Sequence, residues 1–259
     1  FGLTKNIERK KSREHSENLL IKNFQTIGIT KGKDKIIKVQ GKNFLNPLNI
    51  NIPGDPSSAA FFTALTILNQ NSIIKIKNVG LNPTRIGFYE LLKKHGAKIK
   101  FENIKKNNNE VYGDIIAKSC KIKPIKASKE YYVKATDEYP ILFVIAALTD
   151  GVSVFRGIGD LANKESNRIK EMQKILKQIG VNSKASKSEL KIFGKNFFHK
   201  KNMKIKVGNL GDHRIAMSSL ILSLVTGVNI NIKNFETVYT SSPSFLKIVK
   251  YLGGKFETY

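Results

Sequence analysis

Apolar and polar positions along the chain recur on a long period. Three segments of nearly unbroken apolar character each follow an aspartate: Asp55 precedes "PSSAAFFTALTIL", Asp137 precedes "EYPILFVIAAL" and Asp212 precedes "HRIAMSSLILSLV". Each has helical length and carries an apolar pair four and five residues after its aspartate, at Ala59/Ala60, Ile141/Leu142 and Ala216/Met217. Such segments predict buried helices. Short strand-like runs stand before the aspartates ("NPLNINIPG", "EYYVKAT", "MKIKVGNLG"), and alternating runs follow the helices ("SIIKIKNV", "VSVFRGI", "VNINIKNF"). A second, amphipathic helix pattern then stops at Gly96, Gly180 and Gly253, where a left-handed cap is expected. From each aspartate to its glycine the distance is 41, 43 and 41 residues. Paired short strands come next ("AKIKFE" with "EVYGDIIAK", "VNSKAS" with "ELKIFGK"), and a single "KFE" follows Gly253.

The repeating unit is therefore strand, helix, strand, helix and two strands (βαβαββ), present three times from about residue 47 to 259. Residues 12–53 fit the back half of one more unit, with a helix at "SENLLIKNFQ", Gly28, and then "DKIIKVQGK". No strand is expected before that helix. A repeat of about 80 residues is longer than solenoid periods, so the pattern predicts a compact mixed α/β fold rather than an open array. Pro and Gly in "NIPGDPSS" suit a passage between domains, which divides the chain into 1–53 and 54–259. The chain opens at Phe1 without a Met, and the expectation is that it forms the C-terminal part of something longer.

Composition narrows the function. The 259 residues are 41% hydrophobic with 15 Phe and 8 Tyr, enough to bury a core. No run approaches the roughly 18 apolar residues of a membrane span, and no leader pattern is visible, so a cytoplasmic protein is expected. The lone Cys120 excludes an internal disulfide framework and any multi-cysteine metal site. The net charge of +25 invites a nucleic-acid partner. Its make-up argues against one, because 39 Lys scattered singly and only 6 Arg look like a bias of the whole chain. Against that background each Arg is the more informative cation, suited to bidentate recognition of anions.

Candidate chemistry gathers at the helix starts. Asp before a helix is a favoured N-cap, which suffices for Asp55, with Pro56 after it, and for Asp212. Asp137-Glu138-Tyr139-Pro140 sets two acids at a positive helix end, and Asp137 reads either as a cap or as a general base. In "NKESNRIKEM", Lys164 and Arg168 are spaced to share a helix face with Glu165 on its edge, either a solvated ion-paired face or an anion clamp holding an acid. Arg214, beside His213, lies against the helix dipole, a placement that a bound anion would explain. There is no P-loop, no GxGxxG after a strand, no HExxH and no nucleophile elbow.

Taken together, "GDPSSAAFF" (54–62), "GLNPTRIGFYELLKKHGA" (80–97), "DEYPILFVIAA" (137–147), "NKESNRI" (163–169) and "GDHRIAM" (211–217) resemble the 5-enolpyruvylshikimate-3-phosphate synthase family, and "SREHSE" (12–17) fits its segment before the domain crossing. "DEYP" and "TSSP" look like its bacterial class II. The resemblance implies an inside-out α/β barrel with three βαβαββ units per domain. It implies transfer of the enolpyruvyl group of phosphoenolpyruvate to the 5-hydroxyl of shikimate 3-phosphate, with release of phosphate, no metal and no organic cofactor. Carried over by motif, Asp137 would be the base at the 5-hydroxyl, Glu165 would move the proton at the methylene carbon, and Lys164 would lie between the substrates. Arg168 and Arg214 would grip phosphoenolpyruvate, and Ser12 and Arg13 would hold the shikimate phosphate. The partners expected are those two small molecules, with no nucleic acid and no membrane, in a protein that is a monomer when complete.

Two positions depart from the family pattern, Asn167 in place of an Asp and Thr240 in place of a Lys near phosphoenolpyruvate. The family's N-terminal motifs, with a catalytic Lys and several substrate-binding residues, have no counterpart in the chain. Two alternatives stand beside this reading: a UDP-N-acetylglucosamine enolpyruvyl transferase, and a non-catalytic anion- or RNA-binding module.

Overall fold

A computed structural model describes residues 2–9, 12–24, 27–31, 34–42, 47, 49–107, 109–195 and 203–258. The repeat read from the sequence is visible in its sheets. In the middle unit β7 (Lys126–Ala127) runs parallel to β8 (Gly151–Arg156), which pairs antiparallel with β10 (Glu189–Gly194), itself paired with β9 (Asn182–Ala185). The first unit repeats the order, with β4 (Ile73–Gly80), β6 (Glu110–Lys118) and β5 (Lys98–Asn107), and a single parallel bridge from Gly54 to Val79 in place of its opening strand. In the third unit β11 (Lys204–Val207) lies parallel to β12 (Asn229–Ile232), and no strand follows Gly253 among the described residues.

Each unit's first helix is central: α2 (Pro56–Leu68), α5 (Tyr139–Ala147) and α7 (His213–Thr226) pack on one another. Every residue of α5 is buried, as expected of a helix that is apolar on all sides. The second helices, α3 (Gly87–Lys94), α6 (Arg168–Gln178) and α8 (Phe245–Tyr251), end before Gly96, Gly180 and Gly253. These glycines have φ of 97°, 73° and 90°, the left-handed values the sequence pattern required.

Four local expectations need correction. A strand, β1 (Leu3–Glu8), does precede the first helix α1 (His15–Phe24). It pairs with β3 (Lys35–Gln40), which also pairs with β2 (Ile27–Lys31), so the N-terminal segment has the β1-β3-β2 order of a unit's back half. Leu3 and Ile7 are exposed, so backbone pairing rather than an alternating buried face makes β1 a strand. "EYYVKAT" is largely helix α4 (Glu130–Ala135), which packs on α3 with Lys134 paired to Glu90 at 3.0 Å, while the Tyr132 ring packs against that of Tyr139. No regular strand is formed by residues 49–53, or by the "KFE" after Gly253. Finally, α6 starts at Arg168, so Lys164 and Glu165 sit in the loop before it, after a 3-10 turn at Gly159–Asn163, and share no helix face with Arg168.

Candidate functional site

The site is built where the N-terminal ends of the three central helices converge. Asp55 caps α2, accepting from the amides of Ser57 and Ser58, and Asp212 caps α7, accepting from those of Arg214 and Ile215. Asp137 makes no such cap: it lies in the 3-10 turn Thr136–Glu138 before α5 and turns away to meet Arg13. The Arg13 Nη2 donates to Asp137 Oδ2 at 2.7 Å across 124 positions of sequence. Burial would raise the Asp137 carboxyl, but the Arg13 hydrogen bond and the charges of Arg214, Arg13 and Arg85 outweigh it and hold the group below its usual range.

Next to it, Glu138 is only 2% exposed and accepts from Ser57 Oγ. Ser57 in turn accepts from Arg85 Nη2 at 2.9 Å, and the same nitrogen meets Asp55 Oδ1 at 2.9 Å. Burial pushes the Glu138 carboxyl up to about 7, with the Asp137 charge adding to it and Ser57, Arg214 and Arg85 opposing. Two adjacent acids thus have environments that drive their proton affinities apart, a feature typical of sites that do acid–base work.

The second half of the site surrounds Arg168. Its side chain is 1% exposed; Nε donates to Asp212 Oδ2 at 2.9 Å and Nη2 to Glu165 Oε2 at 2.6 Å. Ser166 Oγ donates to the same Asp212 oxygen at 2.8 Å. Glu165 is therefore held in place by a buried guanidinium, while about half its side chain stays open to solvent. Lys164 does not join this cluster. Its Nζ pairs with Asp160 Oδ2 at 2.9 Å, and Tyr132 donates to that oxygen at 2.6 Å. Asn167 caps α6 by accepting from the Lys170 amide at 3.0 Å.

Arg214 differs from the other cations. It is 91% buried in the sense that only 9% of its surface is exposed, yet among the described residues its guanidinium makes no hydrogen bond or ion pair. Its charge is felt by Asp137, Glu138 and His213. Burial, and then the Arg214 charge, lower the proton affinity of half-buried His213, which favours the neutral ring. A cavity of about 380 Å³ lies elsewhere, lined by residues such as Thr66, Asn69, Gln70 and Leu224 at the opposite, C-terminal ends of α2 and α7. It has no charged lining and is not the place where these side chains meet.

The model of the EPSP synthase (3-phosphoshikimate 1-carboxyvinyltransferase) family matches residues 3–249. The chain belongs to the EPSP synthase family. Among curated relatives, the 3-phosphoshikimate 1-carboxyvinyltransferase of Zymomonas mobilis is 35% identical over 259 residues, covering 99% of this chain and 57% of the relative. That of Aquifex aeolicus is 37% identical, covering 96% and 58%. The chain thus spans a little over half the length of the EPSP synthases it matches. A solved EPSP synthase from Acinetobacter baumannii superposes with a TM-score of 0.87 at 33% identity, over 99% of this chain and 58% of that one. The enolpyruvyl transferase NikO from Streptomyces tendae gives 0.74 at 13% identity, covering 98% and 56%, a likeness of fold alone.

Of the residues singled out from the sequence, the EPSP synthase fold brings Asp137 together with Arg13, and Glu165 together with Arg168. Arg214 lies close enough for its charge to act on Asp137. It leaves Lys164 on Asp160 and turns the Ser12 hydroxyl to Glu8 Oε1. Four further residues belong to the site without a role expected from the motifs: Ser57, Arg85, Glu138 as a partner of Ser57, and Asp160. Arg85 carries a usable signal, being one of only 6 Arg, and so does Asp160, four residues before Lys164; Ser57 and Glu138 are joined across 81 positions, too far to be read from spacing.

Proposed function

We propose that the protein carrying this chain transfers the enolpyruvyl group of phosphoenolpyruvate to the 5-hydroxyl of shikimate 3-phosphate and releases phosphate. Residues 1–53 would be the end of one domain and 54–259 most of the second, forming one wall of a cleft completed by the further length that the relatives possess. A cytoplasmic location suits the free thiol of Cys120.

The observation that carries the reading is Arg214: a side chain with only 9% of its surface exposed, whose guanidinium makes no hydrogen bond or ion pair among the described residues, at the N-terminal end of α7 and near enough to an ionised Asp137 for its charge to be felt there. A guanidinium that is largely desolvated yet keeps its donors unused is suited to receive an anionic ligand. In the proposed reaction Asp137 takes the proton of the 5-hydroxyl as its oxygen bonds to the enol carbon, and Glu165 delivers a proton to the methylene. Glu165 then takes back a proton from the methyl group as the carbon–oxygen bond to phosphate breaks, which restores the enol double bond, and the proton held by Asp137 leaves with the phosphate. Asp137 is suited to the first step because its lowered proton affinity keeps it ionised through neutral pH. Arg168 orients Glu165 and balances Asp212, Arg214 binds phosphoenolpyruvate, Lys164 lies between the substrates, and Ser12 with Arg13 receives the shikimate phosphate. When substrate enters, Arg13 would exchange part of its contact with Asp137 for that phosphate.

The test uses the chain within a protein that has the full length of the relatives, with phosphate release measured from the two substrates. Asp137→Asn and Glu165→Gln are each expected to lower kcat by about 10²-fold or more, and Arg214→Met to raise the KM for phosphoenolpyruvate. A folded protein that releases no phosphate, or one whose activity is indifferent to all three changes, would overturn the proposal.

A further inference from the structure

Glu138 has no part in the reaction proposed above, yet it is buried and next in sequence to Asp137. Its environment explains why an acid is kept there. Arg85 can only donate, so the bond from its Nη2 occupies the Ser57 oxygen as acceptor and leaves the Ser57 proton to point at Glu138 Oε1. The direction of the relay is thereby fixed from Arg85 through Ser57 to Glu138. Its far end is anchored too, since Arg85 is paired with Asp55, the cap of α2.

We infer that Glu138 is a positioning residue: the Arg85–Ser57–Glu138 relay fastens the turn Thr136–Glu138 to the first turn of α2 and so sets the direction in which the Asp137 carboxylate points. The inference rests on the reading of Asp137 as the base, but the fastening itself can be measured without any reaction. The groups around Glu138 come from every neighbouring element: Ser57 and Asp55 at the start of α2, Arg85 before α3, Tyr89 on α3, Arg214 on α7, and Asp137 and Tyr139 on its own segment. Among these, Tyr89 donates to the Pro56 carbonyl at 2.6 Å and is already engaged.

The carboxyl that ionises first is Asp137, held below its usual range, so Glu138 titrates near neutrality against a charge already present. Around pH 7 the turn therefore carries either one negative charge or two. The Ser57 bond survives both states because either form of Glu138 keeps an oxygen able to accept.

Carboxyl NMR titration of the full 259-residue chain is the test. The wild type is expected to show a glutamate midpoint near pH 7 that disappears in Glu138→Gln. Ser57→Ala, which removes a bond to the charged form, should move that midpoint up; Asp137→Asn, which removes the neighbouring charge, should move it down. The midpoint of Asp137 should stay low in Glu138→Gln, which keeps an oxygen for Ser57. It should rise towards the ordinary aspartate range in both Glu138→Ala and Ser57→Ala, as the turn loosens and the Arg13 contact weakens. A Glu138 midpoint in the ordinary carboxylate range, or an Asp137 midpoint that is the same in wild type, Glu138→Ala and Ser57→Ala, would overturn the inference.

In the full-length protein, Glu138→Ala is expected to lower kcat by about tenfold or more with little change in KM, and Glu138→Gln to recover most of it. If Asp137→Asn abolishes turnover while Glu138→Ala leaves kcat intact, the positioning role is wrong. If the titrations behave as expected while neither variant changes kcat, the relay stands and the reading of Asp137 as the base is what fails.

Discussion

Asp212 shows how much one side chain can do once the fold surrounds it. Its carboxylate caps α7, balances the buried Arg168 and accepts from Ser166. Only the first of these tasks is visible in the sequence, because a cap acts within three residues while Arg168 lies 44 positions away. The tasks can be separated. Asn caps as well as Asp, so Asp212→Asn keeps the helix start and removes only the charge that compensates a guanidinium 1% exposed. We expect a loss of about 3 kcal/mol in urea unfolding at neutral pH, the scale of breaking a buried pair by removing one partner. Burial alone would raise the Asp212 carboxyl, but Arg168 first and Ser166 after it hold it below its usual range. The sign follows from that lowering: the stabilisation is fully present above the unfolded value of about 3.9 and is lost as pH falls through the lower folded value. The difference between wild type and Asp212→Asn should therefore shrink in acid, and a difference that is constant with pH would rule this account out.

At the scale of elements, the apolar central helices and their glycine stops were legible, because burial on all sides and left-handed caps leave strong local signatures. The short elements were not. α4 is an aromatic run that reads as a strand and becomes a helix through its packing on α3, and β1 owes its state to pairing with β3. Packing also gives some glycines a role that no turn signal announces. Gly194, at the end of β10, lies so close to the C-terminal end of α5 that a Cβ there would collide with the carbonyl oxygens of Ala146 and Thr149. Both obstacles are backbone and cannot swing aside. Gly194→Ala should therefore cost about 3 kcal/mol or more, seen as a lower urea midpoint, whereas Gly208→Ala, with open space around it, should cost far less. Equal effects at the two positions would show that α5 and β10 are not held as close as described.

Across the whole molecule, the N-terminal segment meets the repeated units through polar side chains. Arg13 reaches Asp137, while His15 and Asn18 on α1 reach Glu110 on β6 at 2.9 and 3.4 Å; Asn82 donates to the other Glu110 oxygen at 3.1 Å. Polar contacts of this kind are easier to open than an apolar core. Glu110→Ala is expected to speed amide exchange in residues 15–24 several-fold while leaving α5 and α7 protected. Equal acceleration in α5 would mean that the segment and the repeated units open as one body. The sequence by itself determined the family, the threefold repeat, the caps at Asp55 and Asp212 and the identity of the charged groups, since each is written in local spacing or in whole motifs. Only the tertiary structure decided that Asp137 meets Arg13 instead of capping a helix, that Lys164 turns to Asp160, that Arg168 is spent on Asp212 and Glu165, and that Glu138 hangs from Ser57. Those choices depend on which helix ends converge, and convergence is set by long-range packing of the buried helices, which a one-dimensional pattern of apolar and polar positions does not specify.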